Sequence, residues 1–379
     1  MMLYTTIVVC LSFFYVLLFS FYSIGWIRIP YFIPSPVKGT TKVSIIISAR
    51  NEEDYIRNLL GDLLAQSYPS ELFTLIVVND FSEDQTASVV EEFLDNRIRI
   101  LHLEDYVPDK SIIKSFKKKA LEYGIRESLG ELIITTDADC RFNSEWLKTI
   151  VSFYESKQCH MIVAPVAFLN KNGFLQGFQA IEFIGLIGIT GAALWWNTPL
   201  ICNGANLAFR KESFYKVGGY KGIDQVSSGD DVLLMHKMSK RWSRGVQFLK
   251  NTDAICYTEP QSNFISFLHQ RIRWASKFKY YANPHIHINI LIPFAFYLLI
   301  IINVILSFCG REYFLLLAVQ LIIKITAEFI FFVGVNRFFK SRKLLSLFLQ
   351  AQLLHPLYIL ITGIGGIFYT PKWKGRKIS

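Results

Sequence analysis

Asp137 and Asp139 stand one residue apart at the end of a short β-branched run that begins at Leu132. Two carboxylates that close repel unless a cation lies between them. A divalent metal with hard oxygen ligands is the natural neutraliser, and a diphosphate would supply the oxygens that two side chains leave open. Asp80, after Val78-Asn79, is a further acidic position at the end of an apolar run. An Asp after a strand is most often a turn or helix-cap residue, so Asp80 alone carries little. Lys117 opens a run of three lysines, Lys117 to Lys119, which a solvated helix face would also carry. In Gln270-Arg271-Ile272-Arg273-Trp274, positions 270, 273 and 274 are three and four apart and share one helix face. Arg273 there can fork onto phosphate oxygens, and Trp274 offers a flat apolar wall.

These residues need elements that aim them at one place. Val43–Ser48, Phe73–Val78, Arg97–Leu103 and Leu132–Thr136 read as strands. Glu83–Leu94 and Ser115–Ser128 read as helices, and Asn51 is expected to cap a helix whose first turn holds Glu52, Glu53 and Asp54. Strands alternating with helices imply an α/β fold with a mostly parallel sheet, and ligands bind beyond the carboxyl ends of such strands. The acidic residues fall at those ends.

Composition bounds the rest. Of 379 residues 52% are hydrophobic and only 18% charged, against roughly 25% charged in an ordinary soluble domain. Six cysteines are scattered singly, with neither zinc spacing nor the pattern of a disulfide framework. They read as free thiols in a reducing compartment. The net charge of +10 gathers beside apolar segments: Arg28, Lys38 and Lys42; Arg337, Lys340, Arg342 and Lys343; and Lys372, Lys374, Arg376 and Lys377. That placement suits a membrane surface rather than nucleic acid, so no nucleic-acid partner is expected.

Leu3 to Ile27 carries no charge and is long enough to span a bilayer. It lacks the basic start and cleavage site of a signal peptide. Positive charges follow it, which predicts a cytoplasmic middle and an integral, multi-pass protein of the plasma or inner membrane. Ile286–Phe308 and Tyr313–Val335 predict a helical hairpin that returns to a basic loop at Asn336–Lys343. Lys324 and Glu328 are four apart in its second arm and could pair. In Leu344–Tyr369, Pro356 could split the segment. Phe174–Leu194, which contains Glu182, is read as an interfacial helix and not a span. The expected domains are a transmembrane helix at 1–27, a catalytic domain at 42–281 ending in interfacial helices, a membrane region of two to three helices at 286–369 and a basic tail at 370–379.

The succession Ser48-Ala49-Arg50-Asn51-Glu52-Glu53, Val78-Asn79-Asp80, Asp137-Ala138-Asp139, Gly229-Asp230-Asp231 and Gln270-x-x-Arg273-Trp274 resembles the family 2 glycosyltransferases. These include cellulose, chitin and hyaluronan synthases and ceramide glucosyltransferases. The likeness covers roughly residues 42–281. It implies a GT-A fold and an inverting transfer from a nucleotide-sugar, usually UDP-linked in this family, to a lipid, lipid-linked or saccharide acceptor at the cytoplasmic membrane face, with a processive polysaccharide synthase or a non-catalytic relative as the alternatives. It further implies that Asp80 holds the nucleobase, that Asp137 faces ribose and metal, and that Asp139 ligates Mg2+ or Mn2+. Lys117 would approach the nucleotide, with Gln270, Arg273 and Trp274 completing the donor site. Asp231 would be the general base. Asp230 stands where the family often has Glu, so the base is one of Asp230 and Asp231. Asn203 and Asn206, in a segment that recurs in the family, are candidate acceptor contacts.

Overall fold

The computed structural model describes residues 1–35, 39–169, 172–226, 228–281, 284–368, 372–373 and 376–377. Lys38, Asn170, Tyr369, Lys374 and most of the tail expected at 370–379 lie outside the described residues. The chain divides into two compact units. One joins Ile29–Leu169, Pro199–Glu259 and Trp373–Ser379; the other joins Met1–Arg28, Asn170–Thr198 and Pro260–Lys372.

Among the described residues, the first unit holds, before its tail, the strands β1 Val43–Ala49, β2 Phe73–Asn79, β3 Ile98–His102, β4 Leu132–Asp137, β5 Met161–Val163, β6 Val166–Phe168, β7 Leu207–Arg210, β8 Val246–Phe248 and β9 Cys256–Thr258. Seven form one sheet in the order β3-β2-β1-β4-β7-β5-β8, while β6 pairs with β9. β1 pairs in parallel with β2 and β4, and only β7 runs against its neighbours. β1 is the near-continuous apolar run expected of a strand buried on both faces: Val43, Ile45, Ile46 and Ile47 are all buried. The chain steps from β1 outward to β3 and then returns to the other side of β1 as β4. That reversal opens a crevice at the carboxyl ends of β1 and β4.

Helix Phe116–Glu127 covers one face of this sheet with Ala120, Leu121 and Ile125. Gly124 lets it come close, because a Cβ there would lie 2.5 Å from Ile46 Cγ2. Two expected helices begin later than the sequence implied. Asn51 does not cap the first: it adopts φ 50°, its Oδ1 accepts the Glu83 N–H at 2.9 Å, and the helix runs Ile56–Leu64. Asp84 accepts the Thr86 N–H at 3.0 Å in an Asx turn, so the next helix is only Thr86–Glu91. Both departures come from side chains that tie the loop after β1 to the loop after β2.

The second unit holds helices Met2–Arg28, Phe174–Trp195, Phe264–Ala275, Pro284–Leu306, Arg311–Phe339 and Arg342–Phe368. Five of them, all but Phe264–Ala275, are long and apolar enough to cross a membrane. Helix Arg342–Phe368 continues through Pro356, and helix Arg311–Phe339 continues into the stretch expected as a basic loop. Phe174–Trp195 is mostly buried within its unit. Were it to cross alone, β7 and β8 would be separated by the bilayer from the strands they pair with. The shared sheet excludes that crossing. Phe264–Ala275, assigned from sequence to the end of the catalytic domain, is grouped here with the long helices.

Candidate active site

In the α/β unit the register sets Asp137 beside Ser48 of β1, and Asn79 beside Ala49 on the other flank. Asp80 therefore leaves β2 two strands from Asp137, roughly 10 Å across the sheet edge. It is fully buried, its N–H donates to Ala49 O at 2.8 Å, and Arg50 Nη1 donates to the Asp80 and Phe81 carbonyls at 3.1 and 2.6 Å. Arg50 had no assigned role in the sequence reading; here it fastens the turn that carries Asp80.

Lys117 leaves the first turn of helix Phe116–Glu127 and reaches Asp137 Oδ1 at 2.5 Å and Asp230 Oδ2 at 3.7 Å. Burial works against its ammonium charge, yet Asp137, Asp230 and Asp231 outweigh burial and raise its pKa above the ordinary lysine value. Asp139 Oδ2 accepts the Thr258 hydroxyl from β9 at 3.0 Å. Burial and the charge of Asp137 push the Asp139 carboxyl above the usual range, while the Thr258 hydrogen bond and Lys117 oppose them. Sequence reasoning missed Thr258. No spacing rule joins it to Asp139, because the isolated bridge Arg141–Tyr257 brings the two segments together.

Asp231 is the N-cap of helix Val232–Arg241. Its Oδ1 accepts the Val232 N–H at 2.7 Å and its Oδ2 the Gly204 N–H at 3.1 Å. Gly204 permits that approach, since a Cβ there would sit 3.3 Å from Asp230 Oδ2 and 3.4 Å from Asp231 Cβ. Thr135 Oγ1, on β4, donates to Gly204 O at 3.1 Å and fixes this segment against the strand that bears Asp137. The structure thus gathers Lys117, Asp137, Asp230 and Asp231 with Asp139 alongside. The two asparagines behave differently. Asn203 Oδ1 accepts the Ala205 N–H at 2.9 Å, a turn contact. Asn206 is sealed in the core, where it bonds Trp146 Nε1 and the Pro165 and Ala254 carbonyls at 3.0, 2.7 and 2.8 Å. It holds loops together instead of facing an acceptor.

In the helical unit Gln270, Arg273 and Trp274 lie on helix Phe264–Ala275. The residue between them organises the group. Arg271 is 3% exposed and its Nε and Nη2 fork onto Glu182 at 2.9 and 2.5 Å. Its Nη1 donates to Gln270 Oε1, and its guanidinium lies 4.1 Å from the Trp274 ring centroid. Tyr358 completes the set by donating to Glu182 Oε1 at 2.8 Å. Glu182, the lone acid of an apolar run, was the available signal that a buried cation faces it.

Among the described residues no three His, Cys, Asp or Glu side chains gather as a closed metal cage. The Asp137 and Asp139 oxygens fit a hard divalent cation as a partial set, with coordination left for a ligand's oxygens.

The glycosyl transferase family 2 model matches residues 44–218, and the glycosyl transferase family group 2 model matches residues 132–361, more than half of the chain. The chain belongs to glycosyl transferase family group 2. This family member is 28% identical over 242 residues to probable glycosyltransferase YdaM of Bacillus subtilis, covering 63% of this chain and 56% of that protein. It is 24% identical over 242 residues to poly-beta-1,6-N-acetyl-D-glucosamine synthase of Staphylococcus epidermidis, covering 62% and 53%. The chain thus spans about half the length of these curated relatives. Among solved structures it shares the fold of the mannosyltransferase PcManGT of Pyrobaculum calidifontis, solved with GDP-Man and Mn2+, at TM-score 0.57 and 17% identity, over 96% and 98% of the two chains. The GT-A expectation for the sheet holds.

Proposed function

We propose that this family group 2 member is an inverting glycosyltransferase that moves one sugar from a nucleotide-sugar to a lipid or lipid-linked saccharide acceptor at the cytoplasmic membrane face. The observation that carries the reading is the excess of carboxylates at the crevice. Asp137, Asp139, Asp230 and Asp231 surround one ammonium, Lys117. Such a surplus is costly in the free protein and is relieved by a cation and its phosphate ligand.

In this reading Asp231, oriented by the Val232 and Gly204 N–H groups, takes the proton of an acceptor hydroxyl. That oxygen attacks the anomeric carbon from the face opposite the diphosphate, the bond from carbon to diphosphate oxygen breaks, and a nucleoside diphosphate departs. General-base help of this kind contributes about two to four orders of magnitude. Asp230 balances Lys117, and Asp80 addresses the nucleobase. Mg2+ or Mn2+, held by Asp137 and Asp139, would supply neutralising charge to the diphosphate. Gln270, Arg273 and Trp274 are assigned to the donor site by the family motif. One curated relative is named as a polymer synthase. Single transfer is the reading adopted here, and product size in the assay below decides between it and polymerisation.

The test is detergent-purified protein incubated with Mn2+, a panel of nucleotide-sugars and membrane lipids, with release of nucleoside diphosphate and product size measured. Release with one donor, lost in Asp139→Ala, supports the transferase, and product size separates single transfer from polymerisation. No release and no donor binding by calorimetry would sink the reading.

A further inference from the structure

We infer that Lys118 is a positioning residue that holds the loop leading into Gly229-Asp230-Asp231 by its backbone carbonyls. Lys118 belongs to a run of three lysines that a solvated helix face would explain, yet it is 1% exposed. Its Nζ donates to Ile223 O and Ser228 O at 2.8 Å each, and also to Val226 O. A buried ammonium is expensive unless hydrogen bonds replace its water. Here the replacement is the carbonyl lining of one loop.

That loop needs a template. Residues 217–228 contain neither helix nor strand among those described. Within it, Ile223 N bonds Tyr220 O at 3.0 Å and Val226 N reaches Ile223 O at 3.4 Å. Gly218 and Gly219 N–H tie its start to Tyr215 O and Phe214 O at 2.8 Å each, and lysines supply further fastenings. Lys237, from the helix that follows Asp231, donates to Gly219 O and Lys221 O at 2.6 and 2.9 Å. Lys114 bonds the Gln225 side chain. Lys237 therefore anchors the loop's start, and Lys118 anchors its end, where Ser228 passes into Gly229 at φ 77°.

The neighbouring side chain gives the arrangement its meaning. Lys117 points at Asp137 and Asp230, while Lys118, one residue on, grips the carbonyls just before Asp230. A single helical turn thus sets the distance between the strand bearing Asp137 and the segment bearing the base. Lys118 acts through the loop and touches none of the reacting groups. The effect on turnover rests on the function proposed above; the effect on the loop does not.

Two readouts separate these. Hydrogen exchange followed by mass spectrometry on full-length protein should show the amides of 220–229 exchanging at least about tenfold faster in Lys118→Met, with β1, β2 and β4 unchanged. Lys118→Gln, which keeps one amide donor, should give a smaller change and serves if Lys118→Met does not fold. In the turnover assay kcat should fall at least about tenfold, while donor KM and calorimetric affinity for UDP with Mn2+ stay within about twofold. Lys119→Met, which removes a half-exposed partner of Glu122, should alter neither readout. Exchange at 220–229 that is unchanged, or quickened equally across the sheet, would overturn the inference. So would equal losses in kcat and donor affinity. If the wild type turns over no nucleotide-sugar, the proposed function fails, and the exchange pattern still decides the role of Lys118.

Discussion

The two units handle charge in opposite ways. Among the described residues of the α/β unit, Asp137, Asp139, Asp230 and Asp231 gather near Lys117, and the partners stay reachable: the side chains of Lys117 and Asp137 are 24% and 36% exposed. In the helical unit charges come in matched pairs and are sealed. Arg271 faces Glu182 at 2.5 Å with side-chain exposures of 3% and 8%, and Lys324 faces Glu328 at 3.0 Å with 0% and 8%. Tyr297 adds a 2.9 Å hydrogen bond to Glu328. A matched, closed pair has no charge left for a ligand, and its best-attested use is to fix which helices meet and in what register. An open cluster with surplus negative charge gains most when a ligand brings positive charge to it. The contrast teaches which buried charges to read as chemistry and which as architecture.

The largest expected effect breaks function while sparing stability. Asp139→Asn should reduce turnover by about three orders of magnitude, the equivalent of about 4 kcal/mol. Asp231→Asn should cost about two to four orders. Asp139→Asn should leave the thermal midpoint unchanged, because removing one carboxylate relieves repulsion, whereas Asp231→Asn, which keeps one acceptor for the Val232 and Gly204 N–H groups, should cost about 1–3 kcal/mol of stability at most. Measuring kcat and melting temperature on the same preparations checks this. Parallel losses of activity and stability in Asp139→Asn would erase the distinction drawn between the units.

The converse effect belongs to Arg271 and Glu182. Either Arg271→Met or Glu182→Leu alone leaves an uncompensated buried charge and should cost about 3–5 kcal/mol. The double variant should recover most of that loss. A double-mutant cycle from unfolding in detergent measures the coupling. Additive losses would show that the pair is not one matched unit.

The same contrast explains what the sequence reveals. The sheet was legible because Val43–Ala49 and Leu132–Asp137 are β-branched runs, the second ending in an acid, and local pattern alone marks such strands. Asp80, Asp137 and Asp139 were legible because they sit at strand ends, which a parallel sheet brings to one edge; Asp230 and Asp231, at the start of a helix, came only from the family resemblance. What escaped depends on contacts distant in the chain. Thr258 meets Asp139 across 119 residues, and Lys118 meets the loop carbonyls across more than a hundred. Asn206 looked available for an acceptor because nothing local shows that Trp146 claims it. Asn51 looked like a cap because its bond to Glu83 spans 32 residues. Periodicity reports a side chain's own element; it is silent on which of two adjacent lysines is held by carboxylates and which by carbonyls.

The smallest expected effect sharpens the comparison most directly, since it asks each unit whether it responds to ligand. Mn2+ with UDP at about ten times the dissociation constant should stabilise the folded protein by about 1.4 kcal/mol. The gain should vanish in Asp139→Asn, where the hard oxygen pair is broken. It should persist in a Lys324→Met, Glu328→Leu double variant, whose altered charges were already matched and lie away from the Gln270-x-x-Arg273-Trp274 motif. Thermal unfolding with and without the ligands, in all three proteins, reads the difference. A shift kept by Asp139→Asn would mean that the unmatched carboxylates are not where the cation and diphosphate bind, and that their surplus charge needs another explanation.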